Sequence, residues 1–583
     1  MWRLHVARTD RVARFYAGQM PRANEEAATA LDEYAELFAL TGGDAFRVRS
    51  YQKAAKAIRG YARDISTADV RDVPGVGQAI AKKVTEFMDR GSFRQLDELR
   101  QQVPDGVRRL TRIPSLGPKT AVMLFEEYGV DSPAALGEAI RAGRLDRAKG
   151  LGEKTRANLL KGIDELAEVQ GQVHIGIAMG VAEEVIDSLR DHVDRIDYAG
   201  SLRRMKDHIG DVDILAVADP AVMAVFREQH YVGEVLVSGE KKTSVRTAEG
   251  LQLDLRLVPA ESWGAAMQYF TGSKEHNVEL REIAVKKGWK LSEYGLFNGD
   301  TVLAAADESD IYARLGLQYV PPPLREGSGE VAAARRGELP TVVVRDDLRG
   351  DLHSHTDLTD GVASLSDMVA TAAELGYSYF AVTDHAPDLV MQRMTLEKAR
   401  AQRDQLRELQ DDYPKLRLLH GTELNIDADG SVDWPAEILD EFDVCVASVH
   451  SHFNQDRDAM TRRFIAACEN PNVNIIGHPT TRKIGKRGPV DADWEAVFQA
   501  AARTGTAMEI DSYPDRSDLP VDLVRLACHH GVKFSIDSDA HAVPHMDFQR
   551  FGVGLAQRAW LTTEDVINTW PWQRLKKFLA KRR

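Results

Sequence analysis

The rhythm of apolar and polar positions changes three times along the chain. From Asn24 to about Gln170, apolar residues recur every three to four positions with short Gly/Pro breaks, which predicts packed helices. A period of two then appears. In LQLDLRLV (251–258), Leu251, Leu253, Leu255 and Leu257 fall on one face and Asp254 on the other, and GDVDIL (210–215) reads as a second strand. After Pro321-Pro322-Pro323 and a polar stretch to Arg349, the pattern shifts again. Apolar runs near 349–353, 379–383, 416–420, 443–449, 473–477, 506–510 and 532–536 alternate with helical segments such as SDMVATAAELG and DWEAVFQAAARTG. Seven strand candidates separated by helices predict a parallel sheet closed into a barrel.

These shifts divide the chain into a helical region at 24–171, an α+β region at 172–324, a partly ordered connector at 325–347 and an α/β domain at 348–583, while cuts at 105/106 and 260/261 rest on the family resemblance given below. At 583 residues there is material for three or more cores. With 43% hydrophobic and 28% charged residues the composition is that of a globular protein, and no apolar run approaches a membrane span. No secretory signal is visible, and Cys445, Cys468 and Cys528 lack metal-type spacing, which suits a reducing cytoplasm. The net charge of −14 argues mildly against a nucleic-acid binder. Yet residues 41–160 hold 22 Lys+Arg against 15 Asp+Glu, a locally basic module in an acidic chain. Residues 1–23 are rich in arginine and are read as an upstream extension or disordered tail, with initiation at Met20, in preference to a transit segment or a DNA-contacting arm.

The candidate chemistry is densest at GSLRRMKDHIGDVDIL (200–215). Asp211 and Asp213 share a strand face, and if the Asp254 strand is adjacent, three carboxylates meet over one patch suited to two Mg²⁺ ions. A lone Asp-x-Asp is more often a solvent-facing strand. The Gly200-Ser201 turn with Arg203 and Arg204 changes that balance, since small residues and cations suit a nucleotide's phosphates.

GS-x-RR followed by GDVDIL resembles the nucleotidyltransferase core of family X DNA polymerases. Tyr269-Phe270-Thr271-Gly272-Ser273, followed by Lys274, Glu275, His276 and Asn277, resembles the thumb motif of that family. The resemblance makes 172–260 a palm and 261–324 a thumb, with Asp211, Asp213 and Asp254 binding Mg²⁺ or Mn²⁺. It places Ser201, Arg204 and Gly210 at the incoming triphosphate, Tyr269 and Phe270 at the sugar with Gly272 and Ser273 in the turn, and Asn277 at the base edge. Met205 stands where the family has glycine and His208 where a small hydroxyl residue is common; a positive φ at Met205 would cost on the order of 1 kcal/mol.

VPGVGQAIAKKV (73–84), IPSLGPKTAVML (113–124) and AKGLGEKTRANLL (148–160) each set a Gly-containing turn before a helix start. They resemble helix-hairpin-helix motifs, whose turns offer backbone N–H groups to a DNA phosphate through Gly75, Gly77, Gly117, Gly150 and Gly152. Ser115 replaces the first glycine of the second copy. In family members with an N-terminal lyase domain a lysine after the first hairpin forms a Schiff base; Lys83 matches it, although a nearby family lysine is Ala79 here. Arg47, Tyr51 and Lys53 resemble the 5′-phosphate pocket, and neighbouring cations such as Lys82 would depress the Lys83 pKa.

In the last third stand His353, His355, Asp360, His385, Glu423, His450, His478, Asp539 and His541, most of the histidines just past apolar runs. Strand C-termini of a βα barrel converge on one mouth, where such side chains hold two or three ions such as Mn²⁺ or Zn²⁺. The set resembles the PHP (polymerase and histidinol phosphatase) domain with every ligand position filled; Ala386 is a minor departure. Asp511, His420, His452, His529, His530 and His545 are read as non-ligands.

The resemblance implies a multidomain fold: a helical helix-hairpin-helix N-terminal region, an α+β palm and thumb, and a distorted seven-stranded PHP-type barrel. It implies an enzyme that fills short gaps in repair from dNTPs on gapped, nicked or abasic double-stranded DNA and is nucleoid-associated through that DNA; cysteine usage and the lack of a long apolar run suggest a cytoplasmic protein without membrane contact, and monomer is the default expectation. Its PHP domain would trim 3′ ends, cleave abasic sites or remove 3′-phosphates. A PHP hydrolase with a weakened polymerase core and a non-catalytic DNA-repair scaffold are the alternatives.

Overall fold

The computed structural model describes residues 22–581 except 62, 74, 112, 114, 115, 169, 170, 249 and 388–393. The Met20 start and residues 1–21 of the extension, and the Ser115 departure, lie outside the described residues. Among the described residues no helix is long and apolar enough to cross a membrane.

The N-terminal region is helical, as its 3.6-residue periodicity dictates. Helices α1 (Arg22–Leu40) and α2 (Ala45–Arg59) bury Ala27, Leu31, Ala35, Ala54, Ala55 and Ile58 against each other. Each glycine-containing turn leads into a helix: α3 (Gln78–Arg90), α4 (Pro118–Tyr128) and α5 (Glu153–Glu168).

The palm is a five-stranded sheet of β1 (Arg195–Tyr198), β2 (Asp211–Val217), β3 (Glu234–Ser238), β4 (Lys242–Arg246) and β5 (Gln252–Leu257), in the order β1-β2-β5-β4-β3. β2 and β5 are parallel neighbours, and their register sets Asp213 opposite Asp254. The thumb opens with α6 (Trp263–Thr271) and α7 (Lys274–Lys286).

Residues 325–347 differ from the partly ordered connector that their composition predicts. Arg325 is fully buried and donates to Glu308 at 2.8 Å, and helix α8 (Glu330–Arg336) packs Val331 and Ala334 into the thumb core. Buried Glu330 lies 2.7 Å from Nδ1 of buried His276. Apolar residues at helical spacing and paired charges pack Arg325 to Val342 onto the thumb, whereas Val343 and Arg345 already pair with the barrel at Leu561 and Tyr377.

The C-terminal sheet is β6 (Gly350–Asp351), β7 (Tyr379–Val382), β8 (Arg417–Asn425), β9 (Val444–Ser448), β10 (Ile475–Ile476), β11 (Ala507–Asp511) and β12 (Phe534–Asp537), all parallel and in sequence order. A parallel Ser354–Ala540 bridge draws the two ends together into a nearly closed barrel. This domain is joined to the palm. Phe548, and Phe551 of helix α9 (Gln549–Arg558), enter the palm's apolar core, and Arg550 reaches Glu183 at 2.6 Å.

Candidate active sites

In the palm, Ala199 donates to the Asp213 carbonyl at 2.8 Å, which seats the Gly200 turn on β2. Gly200 has φ +63°, and a Cβ there would stand 2.5 Å from Asp213 Oδ2, so the turn admits no side chain. Asp211, Asp213 and Asp254 share one face, as the register of β2 on β5 dictates, and Lys242 Nζ holds Asp254 Oδ2 at 2.6 Å. Burial pushes the Asp213 carboxyl up to about 6, with Asp211 and Asp254 adding to it. Burial also raises Asp254, but hydrogen bonds from Lys242, Ser244 and Gln252 outweigh it and hold it below the usual carboxylate range. Lys242 gives no sequence signal, since only the strand pairing brings it there.

Arg203 and Arg204 tie this loop to the thumb. Arg203 binds Glu308 at 2.6 Å and Thr271 Oγ1 at 2.7 Å; Arg204 binds Glu326 at 2.8 Å and the Thr271 carbonyl at 2.5 Å. Gly272 (φ +71°) would bring a Cβ within 3.2 Å of Arg204 Nη1. Ser273 caps α7 by accepting from His276 N, and Tyr269 and Phe270 meet edge-on at 5.1 Å. Asn277 is buried, with its amide between Gln268 and the Tyr269 carbonyl. Ser201 is half-buried beside the arginines, and exposed Gly210 precedes Asp211.

Met205 does adopt a positive φ, +57°. Its side chain lies over Gly554 of α9, where a Cβ would stand 2.5 Å from Met205 Cε. Two residues on, Asp207 is gripped by Arg482 at 2.8 Å, with Arg558 at 3.8 Å. The barrel domain thus buttresses the loop between Ser201 and Asp207.

In the helical region, Gly75 and Gly150 have positive φ, and Gly77 and Gly117 precede α3 and α4 with no side-chain cap. Gly152 immediately precedes α5. The first-turn N–H groups of α3 and α4 thus lack a side-chain partner, an arrangement suited to phosphate oxygens. Lys83 Nζ lies over the rings of Tyr34 and Phe93 at 5.5 and 5.6 Å. Burial lowers its pKa, assisted by Arg47, while Lys82 is exposed. Arg47 stacks on Phe38, Lys53 lies beside Gly75, and Tyr51 is buried edge-on against Tyr34.

At the barrel mouth the nine predicted residues come together. His355, Asp360, His385 and His541 form one group whose ligand atoms lie within 4.8 Å of one another; His353, His355 and Asp539 form a second, and His385, Glu423 and His450 a third. His478 joins through Glu423 Oε1 at 2.9 Å. Glu423 is central, 2.9 Å from His385 Nδ1 and 3.1 Å from His450 Nε2. Buried Nδ1 atoms of His355, His450 and His478 and Oδ1 of Asp360 have no hydrogen-bond partner. Orphaned buried donor atoms of this chemistry fit metal ions. Burial raises the Asp360 and Glu423 carboxyls, but His541 and His450 respectively lead the charges that hold them well below the usual range. Burial lowers His385, yet Asp360 and Glu423 outweigh it and lift the imidazole to about 10.

Two partners of this centre escape sequence reasoning. Glu509 accepts from His353 Nδ1 at 2.6 Å and orients the ring. Arg516 lies 3.3 Å from buried Asp511 and 3.6 Å from Asp539. Asp511 faces that arginine as an ion pair and, like His420, His452, His529, His530 and His545, enters no ligand group among the described residues.

Fold and sites define a nucleotidyltransferase built onto helical hairpins and joined to a barrel with a metal-ligand mouth. Family models match in each part: helix-hairpin-helix domain (22–93), SAM-like helix-hairpin-helix tandem (107–172), DNA polymerase beta thumb (266–326) and PHP domain (351–512). The chain is 32% identical over 561 residues to the DNA polymerase/3′-5′ exonuclease PolX of Bacillus subtilis (strain 168), covering 94% of this chain and 98% of that one. It is 28% identical over 321 residues to DNA polymerase lambda of Rattus norvegicus, covering 49% and 53%. The chain belongs to the family X DNA polymerases that carry a PHP domain.

Proposed function

We propose that this protein fills short gaps in damaged DNA from dNTPs and trims 3′ ends with its PHP domain. The observation that carries the reading is the convergence of nine ligand-type side chains on one barrel mouth, in a chain whose palm aligns Asp213 beside Asp254. Bound divalent ions, Mg²⁺ or Mn²⁺ at Asp211, Asp213 and Asp254 and two or three Mn²⁺ or Zn²⁺ in the barrel, would supply electrophilic stabilisation of phosphate oxygens and an activated oxygen nucleophile.

The chain's own groups do the rest. The Gly200 turn brings Ser201 and the backbone to the triphosphate, with Arg204 fixed beside the thumb turn. Tyr269 and Phe270 wall the sugar, Gly272 and Ser273 shape the turn, and Asn277 turns from its internal bonds to the base edge. Gly75, Gly77, Gly117, Gly150 and Gly152 hold the DNA backbone through N–H groups. Lys83, lowered by burial against aromatic rings, acts as the abasic-sugar nucleophile, with Arg47, Tyr51 and Lys53 at the 5′-phosphate. The protein works as a cytoplasmic, nucleoid-associated monomer.

The test follows a 5′-labelled primer bordering a one-nucleotide gap in Mn²⁺, with and without dNTPs. Extension with dNTPs and shortening without them are expected. Asp254→Ala abolishes extension and spares shortening; His353→Ala does the reverse. Shortening alone in the unaltered protein would leave only the hydrolase reading.

A further inference from the structure

Lys56, on α2 of the helical domain, lies 304 residues from the carboxylate it meets: its Nζ is 2.6 Å from Asp360 Oδ2. The two oxygens of Asp360 are used differently. Oδ1 has no hydrogen-bond partner and stands 3.3 Å from His385 Nε2 within the ligand group. Oδ2 faces Lys56 and lies 3.3 Å from His541 Nε2. Both oxygens thus face histidines of the ligand group, and the lysine shares Oδ2 with His541 while leaving Oδ1 without a hydrogen bond.

The contact is built into the domain packing. One turn further along, Gly60 lies against the barrel so closely that a Cβ would meet Ala542 Cβ at 2.9 Å and Val362 at 3.2 Å. Val362, from the barrel, packs in turn on the helical domain's core. Between the domains lies a cavity of 1810 Å³, lined by seven of the nine ligand-type residues (all but His353 and His355), by Lys56, Lys483 and Lys486 near them, and by carboxylates such as Glu25 and Asp32 further out. Its volume exceeds that of ordinary small-molecule pockets, about 300–1,000 Å³, and leaves room for more than a terminal nucleotide. Lys56 is about one-third exposed, so an ammonium with three donors can keep Asp360 and still reach a second oxygen.

We propose that Lys56 completes the nuclease site from across the domain boundary, binding a backbone phosphate of the DNA strand whose 3′ end enters the barrel. The helical domain thereby supplies part of the nuclease's preference for polynucleotide over small phosphodiesters. This rests on the nuclease reading.

The experiment compares the full-length protein with Lys56→Ala and Lys56→Arg in Mn²⁺, using a 5′-labelled oligonucleotide and bis(p-nitrophenyl) phosphate. Lys56→Ala is expected to raise KM for DNA with a smaller change in kcat. The ratio of kcat/KM for DNA to that for the small diester should fall about tenfold, as for loss of one charge-assisted contact. The slope of log(kcat/KM) against log[salt] for DNA should become shallower by roughly 0.7–1, the signature of one phosphate contact. Lys56→Arg should recover most of both, with bound manganese unchanged in either variant. An unaltered ratio and slope would overturn the proposal, as would faster trimming, which would make Lys56 a latch. Equal loss on both substrates with loss of manganese would reduce it to a support for Asp360. Failure of the unaltered protein to cleave either substrate would remove the nuclease reading itself.

Discussion

His420 shows how a single ring tunes the barrel domain. It is 5% exposed, lies 4.8 Å from the Phe442 ring, and neither ring nitrogen has a hydrogen-bond partner. Burial, with Arg403 and Arg407 nearby, lowers its pKa to about 4 from an ordinary 6.5. The unfolded chain takes up the proton first, so stability is complete above pH 6.5 and falls as pH drops toward 4, by about 3 kcal/mol. His420→Phe removes the group that must stay neutral. The variant's urea midpoint for the barrel transition should fall less between pH 7 and pH 5 than the parent's; equal falls would contradict this. The clustering of the histidines was legible because most follow an apolar run, and strand ends meet at a mouth whatever the details of packing. Glu509 was not legible: it stands inside MEID among apolar residues, and only the tertiary fold aims it at His353. Lys242 was hidden for the same reason, since its role depends on the register of β4 on β5.

At the level of elements, strand and helix positions followed from periodicity, whereas the pairing of Met205 with Gly554 did not. These residues are far apart in sequence, and neither type marks an interface. Met205 departs from the family pattern and holds the strained conformation that such a departure implies. The barrel helix α9 answers it with a glycine, so the thioether fills space that any side chain at 554 would occupy. Gly554→Val would push Met205 and displace the loop carrying Ser201 and Arg204. Overpacking of this kind costs about 1–3 kcal/mol. If half or more of that falls on nucleotide binding, the KM for dNTP in single-nucleotide gap filling rises on the order of tenfold. An unchanged KM in a folded variant would show that the loop does not need this support. The 325–347 stretch failed as a connector for a related reason: Arg325 and Glu330 look like linker residues until their buried partners Glu308 and His276 are in place.

At the scale of the whole molecule, the contacts across the barrel–palm boundary predict that the barrel's mouth and its palm-facing side unfold as one cooperative unit. Glu183 and Asp207 of the palm are paired with Arg550 and Arg482, and Phe548 and Phe551 leave the barrel for the palm core. Ions that bind only the folded barrel stabilise it by about 2.7 kcal/mol at a hundred times their dissociation constant. For a domain of this size that amounts to a shift of roughly 5–10 °C in its melting temperature. Chelation followed by return of Mg²⁺ alone, to serve the palm carboxylates, should therefore lower the barrel transition in calorimetry until Mn²⁺ is restored. Because the palm shares its core with Phe548 and Phe551, its own transition should fall with the barrel's. In a variant carrying Arg482→Ala and Phe551→Ala the two transitions should separate, and only the barrel's should respond to Mn²⁺. A palm transition indifferent to Mn²⁺ in the parent would mean that the two catalytic halves fold independently. The grip of Arg482 on Asp207 and the Met205–Gly554 contact would then be too weak to transmit the state of one site to the other.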